Sequence, residues 1–210
     1  MVQKEVGAER RPRGRPRSFD TDAVLDKARA VFWNQGYAAT SLDDLAAATG
    51  LNRPSLYAAF GDKHALYLAA LDRSAREGTA SLAAALQAEA PLRTILGIIF
   101  ERTIEIYRRG EVGQRGCFLV GTAVTQAIDD PAARDRLAGF VADTDRLFAE
   151  RFETQREQLA AGVTPAAAGA MASATFHTLA VRARTGAGEA DLLAVGRAAV
   201  DLICGPATEA

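Results

Sequence analysis

Residues 36–68 constrain this chain more than any other stretch, because they dictate two short helices and the turn between them. Ser41 stands where it can cap a first helix, and Asp44, three residues on, supplies the returning acceptor of a shortened capping box. Leu42, Leu45 and Ala46 share one face at spacings of three and four, the stripe of a helix on a core. Ala46, Ala47 and Ala48 keep that helix slim enough for a second to approach. Gly50 sits where a helix end needs positive φ, and Leu51 plugs the turn. A second helix opens at about Asn52, a good N-cap, with Pro54 in its first turn, where a missing N–H is harmless. Leu56 and Phe60 form its buried stripe and leave Arg53, Ser55, Tyr57 and Ala58 pointing elsewhere.

Two such helices are also the build of a helix-turn-helix, whose second helix enters the major groove of DNA and meets base edges with its N-terminal residues. Arg53 suits guanine, since its guanidinium can grip O6 and N7 together, and Asn52 and Ser55 flank it. Tyr57 is placed for a phosphate. Lys63 follows Gly61-Asp62 at the start of the next helix, where its ammonium and the helix N-terminus can both face a phosphate. Ser41 and His64 complete the expected DNA-contacting set. Asp43 would repel a phosphate, and Ala58 and Ala59 leave little side chain for bases, so direct readout rests mainly on Arg53. The competing reading is a helical hairpin that binds nothing.

The order Thr40-Ser41, Gly50, Pro54-Ser55-Leu56-Tyr57 and Phe60-Gly61-Asp62-Lys63 separates these readings. With Ala28, Phe32, Gly36-Tyr37, Leu45-Ala46 and Leu66, it makes residues 19–68 resemble the DNA-binding domain of TetR-family transcriptional regulators. The resemblance is specific over those fifty residues and loose beyond them. It implies an all-α chain: a three-helix DNA-binding domain over residues 19–66, then a larger helical effector-binding and dimerisation domain over residues 67–210.

Residues 10–17, Arg-Arg-Pro-Arg-Gly-Arg-Pro-Arg, form a basic arm within residues 1–18. Its prolines and glycine oppose a helix, and a disordered arm is expected. Gly14-Arg15-Pro16 between Arg13 and Arg17 looks like an AT-hook for a narrow A·T minor groove, where negative potential attracts arginine. The alternative is a solvated tail that attracts phosphate without reading sequence. The arm carries a net +4, which leaves −5 for the rest of a chain whose total is −1. A protein that coats nucleic acid would be basic throughout; this one meets DNA at one end. No apolar run reaches the ~18 residues of a membrane span, and no secretory leader is visible at the N-terminus. Two distant cysteines give neither a disulfide framework nor zinc spacing. A cytoplasmic, bacterial protein without metal or cofactor is expected, bound to the nucleoid when engaged.

Beyond Asp62 the periodicity stays helical. Helices are expected over about 20–35, 62–76 or on through Gly78 toward 87, 91–110, from 117, 131–161, 165–186 and 189–203, with residues 113–116 as a loop. The first packs Val24, Leu25, Ala28, Val31 and Phe32 inward; the third of these sets Leu92, Ile95, Ile99, Thr103 and Ile106 on one side. The last two helices are rich in Ala and Gly, with Leu179, Val195, Val200 and Leu202 among them, and small residues let helices approach closely. The resemblance implies that they pair with their copies in a homodimer. A two-fold dimer sets its reading helices about 34–36 Å apart on a palindromic double-stranded DNA operator.

The resemblance also implies a pocket for a small-molecule effector whose binding releases a repressor from its operator. Candidate lining residues are Phe100, Thr103, Tyr107, Cys117, Phe118, Thr122, Gln126, Phe148, Phe152, Met171, Thr175 and His177, each of which also reads as plain core. Cys117 follows Arg115-Gly116 at a helix start, and both a cation and a helix N-terminus lower a thiol pKa. Arg115–Val120 is similar to an element of a TetR subgroup in which some members sense electrophiles or oxidants, so a thiol-based sensor is an alternative; a small buried hydrophobe is the plainer one. An architectural protein of A·T-rich DNA is the other alternative. No nucleophile–base pair, phosphate-cradling loop or metal cluster argues for an enzyme.

Overall fold

The computed structural model describes residues 19–109 and 115–206. These hold nine α-helices, a short 3₁₀ turn and no strand: α1 Thr21–Gln35, α2 Leu42–Thr49, α3 Arg53–Phe60, α4 Lys63–Leu86, α5 Leu92–Arg108, α6 Phe118–Gln126, α7 Pro131–Thr154, α8 Pro165–Arg184 and α9 Glu189–Cys204. The expected all-α class is the observed one. The arm residues Arg13, Arg15 and Arg17, and the first half of the 113–116 loop, lie outside the described residues. Among the described residues, no helix is long and apolar enough to cross a membrane.

Two short helices, α2 and α3, and the start of the long α4 gather on α1. Val24, Leu25, Ala28 and Phe32 of α1 are buried with Leu45 of α2, Leu56 of α3 and Leu66 and Tyr67 of α4. Val31, expected among them, is only partly buried. Full burial of a side chain such as Leu45 is worth about 1.5–3 kcal/mol, so this small core depends on each member. The aromatic stack then continues past the three-helix unit. The Phe32 and Tyr67 rings lie 5.1 Å apart, Tyr37 and Tyr67 4.7 Å, and Tyr67 meets Phe118 of α6 at 6.1 Å. Arginines strap α1 to α4 as well: Arg73 binds Asp22, Asp26 and Glu77, and Arg29 binds Asp26 and Glu77.

Two local departures have tertiary causes. α7 stops at Thr154 rather than near Ala161, and Arg156–Gln158 form the 3₁₀ turn. Pro91 precedes α5 without a side-chain cap, and Gln158 Oε1 accepts the Leu92 N–H in its place at 2.8 Å. Gln155 Nε2 reaches Ala90 O at 3.4 Å, and Ala160 N donates to Ile203 O at 2.8 Å. Satisfying those donors is worth more than another turn of α7, since an unpaired buried N–H costs about 1–3 kcal/mol. Ile106, expected on the buried side of α5, is 53% exposed. The buried face of α5 is set instead by Leu92, Ile95, Leu96, Ile99, Phe100, Thr103, Ile104 and Tyr107.

α8 and α9 show two faces. Ala168, Ala172, Leu179 and Ala183, with Leu192, Gly196, Ala199, Val200 and Ile203, are buried in this chain. Leu179 and Val200, expected at a dimer seam, therefore serve the chain's own core. The opposite faces expose Ala167, Ala170, Met171, Ala174 and Val181 on α8, and Ala190, Ala194, Ala198 and Leu202 on α9. That is an apolar, small-residue surface left open to solvent.

Candidate nucleic-acid interface

The geometry of the two short helices is built by their caps. Ser41 Oγ accepts the Asp44 N–H at 3.1 Å while Asp44 Oδ2 accepts the Ser41 N–H at 2.8 Å and its hydroxyl at 2.7 Å. Gly50 closes α2 in the left-handed region, φ 76°, ψ 11°, with its N–H on Ala46 O. Thr49 adds a device absent from the sequence reading: its hydroxyl donates to Leu45 O at 2.7 Å and accepts the Leu51 N–H at 3.3 Å. A threonine directly before the turn glycine was its visible signal. Asn52 Oδ1 caps α3 by accepting the Ser55 N–H at 2.9 Å, and Asp62 caps α4 through Ala65 N at 2.7 Å.

Asn52, Arg53, Pro54, Tyr57 and Ala58 are exposed, while Ser55 is half-buried and Leu56 faces the core. Arg53 is not free on that surface. Its Nε donates to Asp43 Oδ1 at 2.8 Å and its Nη2 to Oδ2 at 2.5 Å, a fork-on-fork pair between α3 and α2. The bond from Arg53 holds the Asp43 carboxyl below its ordinary range, and the same bond raises Arg53. Asp43, read as a repeller of phosphate, is thus the direct partner of the residue expected to read bases.

Lys63 and His64 both have protein partners in the free chain. The Lys63 ammonium donates to Tyr37 O at 3.0 Å and Thr40 O at 2.8 Å, and lies 4.4 Å from the Tyr37 ring centre. It fastens the α1–α2 connection to the start of α4, with two of its three donors engaged there. His64 ties the start of α4 to the start of α7: its Nε2 meets Asp130 Oδ2 at 2.7 Å. Asp130 caps α7 through the Ala132 and Ala133 N–H groups. Burial would lift the Asp130 carboxyl, but the bonds from His64, Ala133 and Ala132 prevail and hold it low.

Behind the three-helix unit lies a cavity of about 610 Å³. Its walls come from α1 (Arg29, Trp33), α4 (Ser74, Glu77, Gly78, Ser81), α5 (Ile99, Arg102, Thr103, Ile106, Tyr107), the start of α6 (Cys117, Phe118) and Phe176 of α8. Of the expected lining residues it takes Thr103, Tyr107, Cys117 and Phe118. The others are elsewhere. Phe148 and Phe152 pack on each other 5.9 Å apart in the core, and Phe100 fills the space left by Gly196 of α9. Thr122 accepts the Tyr67 hydroxyl at 3.0 Å, and burial pushes that phenol up to about 12. Thr175 bonds back to Met171 O, Met171 itself is 46% exposed on the outer face of α8, and Gln126 ends α6 half-buried. His177 joins Thr144 at 3.2 Å between α7 and α8. The sequence reading missed Arg29 and Trp33 because it assigned α1 wholly to the small core; Trp33, next to buried Phe32, points the other way.

The wall between cavity and reading unit is pinned. Trp33 Nε1 donates to Arg115 O at 3.0 Å, and Arg184 of α8 donates to Trp33 O at 3.3 Å and Arg115 O at 3.2 Å. Gly116, φ 65°, passes so close to α8 that a Cβ there would lie 2.3 Å from Ala180 O. Cys117 follows, at the N-cap of α6. Burial pushes its thiol pKa up, and the N–H groups of Val120 and Leu119 only partly offset that. The sequence expectation of a lowered value is reversed because desolvation outweighs the helix terminus.

Residues 24–70 match the model of the tetR family of bacterial regulatory proteins. The chain is similar to the transcriptional repressor ComR of Escherichia coli K12, 34% identical over 158 residues, covering 75% of this chain and 74% of that protein. Its fold is similar to a cysteine mutant of the TetR-family regulator CifR complexed with a 26-bp double-strand operator DNA, 30% identical, TM-score 0.79, covering 90% of this chain and 100% of that one. The reduced form of E. coli NemR shares the fold at 19% identity, TM-score 0.77, covering 89% and 98%. The chain belongs to the tetR family of bacterial regulatory proteins and is a DNA-binding transcriptional regulator.

Proposed function

We propose that this regulator is a repressor that grips a palindromic operator as a two-fold dimer and lets go when a small molecule enters the 610 Å³ cavity. Residues 19–66 would form the reading head and 67–210 the effector and dimer body. The observation that carries this reading is that one cavity has walls from both: Arg29 and Trp33 of α1 face Thr103 and Tyr107 of α5 across it. A molecule seated there touches the head directly, and differential contact of this kind is what a ligand needs to bias two states.

Support for repression comes from ComR, named a repressor, and for operator binding from the CifR complex. The exposed small-residue faces of α8 and α9 fit a two-fold helix seam, since close approach requires small side chains. On DNA, Arg53 would read a guanine while Asn52, Ser55 and Tyr57 hold nearby base edges and phosphates, with Ser41 at the backbone. Arg13, Arg15 and Arg17 would add minor-groove contact. Lys63 has one ammonium proton left for a phosphate, and His64 would serve the joint to the body. Cys117, buried and held in its protonated form, fits a cavity wall better than a thiolate sensor.

The test is selection of DNA by the full chain from a random library. An inverted repeat whose half-sites lie a whole number of helical turns apart is the expected product. Recovery of A·T-rich sequences with no shared motif would overturn the reading in favour of an architectural protein.

A further inference from the structure

Two hydroxyls on the cavity wall have no hydrogen-bond partner among the described residues, and that of Tyr107 is also shut off from solvent. The buried Thr and Ser side chains elsewhere are satisfied: Thr40, Thr49, Thr122 and Thr175 bond back to main-chain carbonyls, and Thr144 pairs with Ser173. Thr103, 7% exposed, has no such bond among the described residues. One turn further along α5, the Tyr107 hydroxyl is shut off from solvent and also lacks a partner. The Cys117 thiol lies beside it without meeting hydrogen-bond geometry, and sulfur is a weak acceptor in any case. Buried polar groups are nearly always paired, so the unpartnered Tyr107 hydroxyl, with the Thr103 hydroxyl one turn away, marks a place for a ligand's polar atom.

The rest of the wall restricts what that atom belongs to. Trp33, Ile99, Ile106, Phe118 and Phe176 make it largely apolar. Glu77 and Arg29 both face the cavity and are paired with each other. That carboxylate is already held by Arg29 at 2.6 Å and Arg73 at 2.8 Å, so it offers little to a cation. Arg102 is also on the wall, from the exposed side of α5. Burial also keeps the Tyr107 phenol protonated, so it presents a donor. A carbonyl oxygen has two lone pairs and can accept from both hydroxyls at once.

We infer that the cavity takes a neutral, mostly apolar carbonyl compound, a ketone, ester or amide on an aromatic or alicyclic frame, with its oxygen on Thr103 and Tyr107. This rests on the cavity being the effector site proposed above.

Three probes of one shape test it in the absence of DNA: benzophenone, diphenylmethane, which lacks the acceptor, and diphenylacetate, which carries a charge. Trp33, the chain's single tryptophan and a wall residue, reports binding by its emission, with calorimetry as a second readout. Two hydrogen bonds predict benzophenone roughly tenfold tighter than diphenylmethane. Thr103→Val and Tyr107→Phe should each erode that ratio, and the double variant should bring it near one. Tyr107→Phe removes a buried unpaired hydroxyl, so the ligand-free variant should melt no lower than the parent. No binding of benzophenone, a preference that survives the double variant, or tightest binding of diphenylacetate would each overturn the inference. Because no DNA is present, none of these results bears on whether a cavity ligand releases the operator.

Discussion

Arg53 and Asp43 face each other as matched forks, Nε to Oδ1 at 2.8 Å and Nη2 to Oδ2 at 2.5 Å. The guanidinium edge that would grip guanine is therefore occupied by a carboxylate in the free protein. Guanine must displace Asp43, and a lone phosphate offers less geometric match for that exchange. Asp43→Asn should therefore tighten binding to unrelated DNA more than to the selected site, so the specificity ratio falls. It should also steepen the salt dependence by about one unit of log–log slope. Arg53→Ala should weaken the selected site roughly ten- to hundredfold and relax choice at one base pair per half-site. Equal weakening on every sequence would remove Arg53 as a base reader.

Lys63 has a structural duty that its position in the motif hides. Lys63→Met loses the bonds to Tyr37 O and Thr40 O and should destabilise the chain by about 1–3 kcal/mol in urea titrations. Weakened DNA binding with unchanged stability would mean that its role is phosphate contact alone.

Stability should fall on mild acidification for an identifiable reason. Burial depresses the His177 pKa below its ordinary 6.5, with Asp145 opposing only in part. The unfolded chain then binds a proton near pH 6.5 that the folded chain refuses until lower pH. Stability from this residue is full above that value and declines below it, ahead of the carboxylate range. His177→Gln should flatten that part of the curve of unfolding free energy against pH. An unaltered slope would show that His177 titrates alike in both states.

Cys117 should be a poor nucleophile. At pH 8, alkylation of Cys117 by iodoacetamide should run at least roughly tenfold slower in the folded chain than in urea, and rise steeply only above the ordinary thiol value of 9.0. Rapid labelling at neutral pH would revive the sensor reading.

The reading unit was legible because caps and turns are local chemistry. Ser41, Asp44, Gly50, Asn52 and Asp62 each act on residues at most four away, and each does what its position implies. What failed to show in the sequence depends on distant partners. Nothing local says that Asp43 will meet Arg53 ten residues on, that His64 will find Asp130, or that Gln158 will cap α5. The cavity was the least legible feature. Phe148, Phe152 and Phe100 look like lining and are core, whereas Trp33 belongs to the wall because α1 packs against two bodies at once.

If α1 couples them, the cavity and the reading helix share one equilibrium. Linkage requires that DNA weaken a cavity ligand by the same factor that the ligand weakens DNA. The direct measurement is the affinity of benzophenone, read by Trp33 emission, with and without a saturating amount of the selected DNA fragment. DNA should weaken it at least about fivefold, with an equal loss of DNA affinity when the cavity is filled. Identical benzophenone affinities in both conditions would contradict it.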